Sequence, residues 1–121
     1  MRLHAWFPAF AIALAFASPA QASGDPGRGE KIYTACQDCH DLDNNDVGPR
    51  HRGVFGRRAG SLPDYDYSPG MAKSGIVWDG RTLDLWLTDP QALVPGAKML
   101  FHLEAAQDRA DVIAYLEERA K

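Results

Sequence analysis

Two thiols and an imidazole crowd into one short stretch: Cys36, Cys39 and, directly after the second cysteine, His40. The chain has no other cysteine. The order is C-x-x-C-H, the spacing of covalent haem attachment. On a helix of about 3.6 residues per turn, positions i, i+3 and i+4 share a face. Both sulfurs can then form thioethers with the two vinyl groups on one porphyrin edge. His40 offers its ring to the iron as the proximal axial ligand. Two other chemistries use such cysteine pairs. A redox dithiol of thioredoxin type should follow a strand in an alternating β-α pattern, and none surrounds Cys36. A zinc site needs about four ligands and would have to recruit His51, His102 or a carboxylate. Haem outweighs both.

An iron with one histidine ligand has a second axial position to fill. Met99 is the candidate, delivered by the turn Pro95-Gly96-Ala97-Lys98-Met99-Leu100-Phe101. Taken alone it would read as core filler. Met71 is its rival, set amid Gly and Ser in a loop with weaker apolar flanks. Arg57, Tyr67 and Trp78 carry guanidinium, phenol and indole donors, which suit carboxylates such as buried haem propionates. Asp38, Asp41, Asp43 and Asp46 read as a solvated acidic turn, without the terminal glutamate of a calcium loop.

The elements that must position these groups are few. Asp25 caps a first helix and Pro26 suits its first position, and the helix runs through Ile32 and Tyr33 to the cysteines. Gly29, interior to it, costs about 1 kcal/mol against alanine, which a close approach of another helix would explain. From Asp41 to Trp78, glycines and prolines punctuate the chain and no helix or strand period survives. A loop this long is explained if it wraps a large flat ligand that takes the place of a core. Asp79 to Asp89 reads as a helix stopped by Pro90, with Leu83, Trp86 and Leu87 on its apolar face. There, core packing and haem packing coincide for Trp86. A last helix, about Ala105 to Arg119, places Val112, Tyr115 and Leu116 on one face, opposite Gly29.

Residues 1–22 read as a secretory signal peptide: Arg2, an apolar run from Ala5 to Ala17, and Ala20-Gln21-Ala22 as the cleavage site. The run is too short to span a bilayer and Pro8 interrupts it, so no stable membrane insertion is expected after cleavage. Residues 23–121 then form one small exported domain, which points to a periplasm. That domain has 12 Lys and Arg against 16 Asp and Glu. Such a balance argues against nucleic acid, whose phosphates demand a basic face.

Taken together, these blocks resemble a class I cytochrome c, close to the mitochondrial protein and to short soluble bacterial ones. Gly29-Glu30-Lys31-Ile32-Tyr33, Cys36 to His40, Gly48-Pro49, Gly53 to Arg57, Tyr67-Ser68, Trp78, Leu85-Trp86-Leu87, Pro95 to Phe101 and Arg109 to Leu116 carry the resemblance in order. It implies an all-α fold of helices and long loops around one haem c, with the first and last helices crossed. It further implies His40/Met99 iron ligation, with the Pro49 carbonyl steadying the His40 ring. Arg57, Tyr67 and Trp78 would lie near the propionates, and Phe101 beside the exposed haem edge. Ala97 replaces a common threonine and Trp86 a common tyrosine. With four lysines in the whole chain, the lysine ring of the mitochondrial protein is absent. The expected function is a monomeric periplasmic electron carrier with no catalytic residue, passing single electrons between redox partner proteins. The alternatives are a haem enzyme or ligand sensor with an open iron position, or the electron-transfer subunit of a dehydrogenase or oxidase complex.

Overall fold

The computed structural model describes residues 12–15 and 23–121. Apart from residues 12–15, the predicted signal segment lies outside the described residues. Five α-helices are described: α1 (Pro26–Tyr33), α2 (Pro69–Ala72), α3 (Gly80–Thr88), α4 (Pro90–Leu93) and α5 (Ala106–Arg119). A 3-10 turn, Cys36–Asp38, follows α1. Among the described residues the only β pairing is an isolated bridge between Arg58 and Val77. The fold is all-α.

The helix starts follow from local chemistry. The Asp25 carboxylate accepts from the Gly27 and Arg28 amides at the head of α1. Asp79 and Thr82 form a reciprocal capping box on α3. Asp89 accepts from the Ala92 amide to start α4. Pro90 therefore does more than end α3: it is buried and opens the next turn, where its missing N–H costs nothing. α1 also stops earlier than expected, at Tyr33, so the cysteines sit on their own 3-10 turn. The Cys36 carbonyl accepts from both the Cys39 amide at 3.1 Å and the His40 amide at 2.9 Å. Positions i, i+3 and i+4 still meet on one side of the turn.

α1 and α5 make the most extensive helix–helix packing of the domain. A methyl group built on Gly29 would lie 2.6 Å from the Asp111 carbonyl carbon and 2.8 Å from Tyr115 Cβ, closer than real atoms approach. Only glycine permits this crossing. Tyr33 and Tyr115 pack beside it with ring centroids 4.8 Å apart. Asp111, fully buried, bridges the two helices: it accepts from the Asp25 amide at 2.8 Å, from Gln107 at 2.9 Å and from the Arg28 guanidinium. Arg109 fastens α5 to α3 through Asp84 at 2.7 Å and holds the Leu103 and Glu104 carbonyls. The core gathers Leu83 and Leu87 of α3, and Val112, Tyr115 and Leu116 of α5.

The stretch from Asp41 to Trp78 is mostly turns, as its glycines and prolines predict, but α2 interrupts it. One helical turn is too short to leave a hydrophobic period in the sequence. Ser68 caps it, its Oγ accepting from the Met71 amide at 3.2 Å. Met71 is buried there, which corrects its placement in a loop amid Gly and Ser with weaker apolar flanks.

Candidate cofactor site

A cavity of about 490 Å³ opens between the Cys36 turn, α3, α5 and the loops before and after them. This lies within the range of pockets that enclose a small organic ligand. Cys36, Cys39 and His40 form one wall. Tyr67, Met71, Trp78, Leu83, Trp86 and Leu87 line other parts, and Met99 and Phe101 approach from the turn after α4. Arg57 and Pro49 also reach the lining, so the fold brings every predicted site residue to one cavity. His51 joins them; His102, the other histidine weighed for zinc, does not.

His40 is held from two sides. Its Nδ1 lies 2.7 Å from the Pro49 carbonyl. A carbonyl can only accept, so the hydrogen sits on Nδ1 and the Nε2 lone pair is left for a metal. Burial holds the ring's pKa below its ordinary value, which keeps it neutral. On the other side a methyl on Gly48 would stand 2.6 Å from Nδ1 and 2.7 Å from Nε2. Gly48 is a glycine because the imidazole needs that room. Gly48-Pro49 thus supplies both clearance and acceptor.

Sequence reasoning weighed His51 only as a zinc ligand. The structure stacks it on His40, centroids 4.0 Å apart and planes 21° apart, and bonds its Nδ1 to the Tyr33 hydroxyl at 2.9 Å. Burial, with His40 and Arg57 adding to it, pushes the His51 pKa down to about 3. A neutral histidine is therefore packed behind a neutral histidine. No signal in the sequence marks it, because His51 lies in the aperiodic stretch between Asp41 and Trp78 and meets Tyr33 only in the folded chain.

The cysteines do not suit the rival chemistries. Burial, and then Cys39, pushes the Cys36 thiol up to about 11, the reverse of the depressed pKa that a redox dithiol requires. Among the described residues no group of three or more His, Cys, Asp or Glu side chains is arranged to hold a metal ion, so zinc has no ligand set. Arg57 donates to the Arg50 carbonyl at 2.9 Å and to the Arg52 carbonyl, and has no carboxylate partner among the described residues. A half-buried cation without a counter-charge suits the propionate of an apolar macrocycle. Tyr67 points its hydroxyl toward the Leu62 amide at 3.4 Å. Trp78 and Trp86 pack as a tilted pair, 5.6 Å between centroids. The donor set and apolar walls fit haem.

The mouth is uncharged over most of its rim. Val47 and Leu100 are exposed, Phe101 is 42% exposed, and Cys39 lies at the surface beside them. Three of the arginines between 50 and 58 are engaged within the domain. Arg50 pairs with Asp64 at 2.8 Å, Arg52 with Asp43 at 2.5 Å, and Arg57 turns inward.

A helical domain with a single C-x-x-C-H turn facing a largely apolar pocket defines a monohaem c-type protein. The family model described as cytochrome c matches residues 27–120. Cytochrome c2 of Rhodomicrobium vannielii is 46% identical over 108 residues, covering 86% of each chain. Cytochrome c-554 of Methylosinus trichosporium is 39% identical over 114 residues, 91% of this chain and 84% of that one. In three dimensions, cytochrome cH from Methylobacterium extorquens superposes with a TM-score of 0.77 at 40% identity, over 79% of this chain and all of the other. The chain belongs to the cytochrome c family, as one of its class I members. Its cofactor is covalently bound haem c, and its role is that of an electron carrier.

Proposed function

We propose that this chain is an exported, periplasmic single-electron carrier, with haem c linked to Cys36 and Cys39 and its iron held by His40 and Met99. Bound haem supplies one-electron chemistry as its iron passes between ferrous and ferric. The chain's own work is to ligate, to keep water out and to offer a docking face. The Pro49 carbonyl fixes the His40 tautomer at 2.7 Å, and that contact carries the reading. Nothing else in the fold needs a neutral histidine with a free Nε2 beside two thiols.

Met99 is the sixth ligand in this reading, Met71 a wall residue. Met71 lies in α2 with its amide bound to Ser68, whereas Met99 follows the turn at Gly96 that carries the chain back across the cavity. Arg57, Tyr67 and Trp78 meet the propionates, and Phe101 screens the edge through which electrons pass. The alanine-rich leader ending Ala20-Gln21-Ala22 supports export. No helix among the described residues is long and apolar enough to cross a membrane. The partners are an electron donor and an acceptor protein, met transiently by a monomer. A closed iron with two protein ligands has no position for substrate, so the chain is not an enzyme.

Spectra of the purified protein test this. The oxidised form should be low-spin with the weak sulfur-to-iron band of methionine ligation, and the reduced form should bind carbon monoxide poorly. Met99→Ala should abolish the band, lower the potential and open the iron to carbon monoxide, whereas Met71→Ala should keep the band. Ready carbon monoxide binding by the native protein, or a band that survives Met99→Ala, would overturn the assignment.

A further inference from the structure

Gln91, half-buried in the one-turn helix α4, makes three hydrogen bonds to the segment that ends in Met99. Its Nε2 donates to the Ala97 carbonyl at 2.7 Å and to the Met99 carbonyl at 3.2 Å. Its Oε1 accepts from the Gly96 amide at 3.2 Å. Both donors and the acceptor of one carboxamide are therefore spent on a single turn. The orientation of the amide is fixed by its partners. Turned over, its oxygen would face two carbonyls and its NH2 an N–H.

The clamp is itself anchored. Asp89 caps α4, Pro90 is buried beneath it, and the Val94 amide donates to the Pro90 carbonyl at 2.9 Å. Gly96 has φ +80°, a conformation that leaves its amide facing back toward α4. Without the side chain of Gln91, the Ala97 and Met99 carbonyls would have no protein donor among the contacts of this turn. Directly after Met99, Leu100 is 73% exposed; the next backbone tie downstream is the Leu103 amide to the Leu87 carbonyl at 2.8 Å, so Gln91 is the side chain that bonds the Met99 backbone itself.

We propose that Gln91 is a positioning residue for the sixth ligand: its carboxamide sets the backbone of Gly96 to Met99 and so holds the Met99 sulfur over the cavity. This rests on Met99 as iron ligand. A turn held at three points presents the thioether with little freedom to leave, and an unclamped one lets added ligands compete for the same position.

Gln91→Glu keeps the size but places an anionic oxygen against two carbonyls, while Gln91→Ala removes the clamp. Both holoproteins, in the ferric state, should show a weakened sulfur band and about tenfold tighter binding of added imidazole, with Gln91→Glu the more affected. In the unmodified protein, the Gln91 side-chain amide protons should exchange slowly with solvent and lie near the Gly96 amide by NMR. Met99→Ala is measured in parallel. If it abolishes the sulfur band while both Gln91 variants retain native band and imidazole affinity, the clamp is wrong and the ligand assignment stands. If Met99→Ala leaves the band intact, both fall. A lowered unfolding midpoint with unchanged imidazole affinity shows a merely structural role and also overturns the proposal, as does fast exchange of the Gln91 amide protons.

Discussion

Replacing Gly29 by alanine should weaken the domain more than any conventional helix argument allows. Helix propensity alone favours the change by about 1 kcal/mol. The structure opposes it. The added methyl would lie 2.6 Å from the Asp111 carbonyl carbon, with the carbonyl oxygen closer still, and 2.8 Å from Tyr115 Cβ. Carbon atoms pack at about 3.5–4.0 Å, so α1 and α5 must part by about 1 Å. No rotamer can absorb this, because the obstacles are main chain and a Cβ. Overpacking of that kind costs about 1–3 kcal/mol. The same displacement stretches the Asp25 amide's bond to Asp111, now 2.8 Å, and hydrogen bonds to a charged group contribute about 1.5–3 kcal/mol. Against the propensity gain, the net loss is roughly 2–4 kcal/mol. Guanidinium unfolding of the holoprotein, followed by tryptophan fluorescence, measures it. Gly27→Ala is the control, since a methyl there meets only the Asp25 Oδ1 at 3.2 Å; it should be neutral or slightly stabilising. A Gly29→Ala midpoint equal to that of the native protein or of the control would refute the crossing argument.

Asp111→Asn should cost about 1.5–3 kcal/mol near neutrality, with the share owed to half-exposed Arg28 discounted for solvent screening. The Asp25 amide, then Gln107 and Arg28, hold the Asp111 pKa below its ordinary value. Its contribution is thus complete above about pH 4, where the unfolded carboxyl titrates, and is lost as pH falls through the folded value. Native and variant stabilities, measured by denaturant titration, should therefore converge in acid; a constant gap across that range would contradict this. Electron transfer to a strongly acidic partner should change by less than about threefold between roughly 0.01 and 0.15 M ionic strength, because Lys98 at the cavity mouth pairs with Asp66 at 3.6 Å. Stopped-flow rates that fall steeply with salt would argue for a basic docking face instead. Finally, the haem-free chain should be largely unfolded by circular dichroism, and a cooperative melt like that of the holoprotein would show that the pocket stands without its ligand.

The parts of the fold legible in the sequence are those whose cause is local. The caps Asp25 and Asp79, the apolar face Leu83/Trp86/Leu87 and the Val112/Tyr115/Leu116 face are periodic or positional signals; α3 and α5 lie within a residue or so of their expected bounds, α1 ends early, and the single-turn helices α2 and α4 are not among the expected elements. The C-x-x-C-H turn was read for its chemistry even though it folds as 3-10 rather than α. What escaped depends on contacts distant in sequence. Asp111 looks like a solvent-facing acid on an amphipathic helix, and only the close crossing at Gly29 turns it into a buried bridge. α2 is too short to show a period. Gln91 acquires partners only once Gly96 reverses the chain. Arg50 and Arg52 find their acids, Asp64 and Asp43, only because other loops bring them close. For the site, the ligand candidates could be named from the sequence, but what steadies them could not.

The same side chains serve as the core and as the walls of the cavity. Leu83 and Leu87 of α3, Val112 and Leu116 of α5, and Val54, Met71 and Trp78 of the loops are all buried in the core cluster and all line the cavity. Each turns one side toward protein and the other toward the cofactor space. In a domain of this size the protein–protein half of that burial is a modest driving force. Filling the cavity completes the burial of every one of these residues at once, so cofactor binding free energy becomes folding free energy. Covalent attachment then has a physical rationale beyond retention. A ligand that serves as the missing half of the core cannot leave without dissolving the structure that positions His40 and Met99, and two thioethers to Cys36 and Cys39 remove that route altogether.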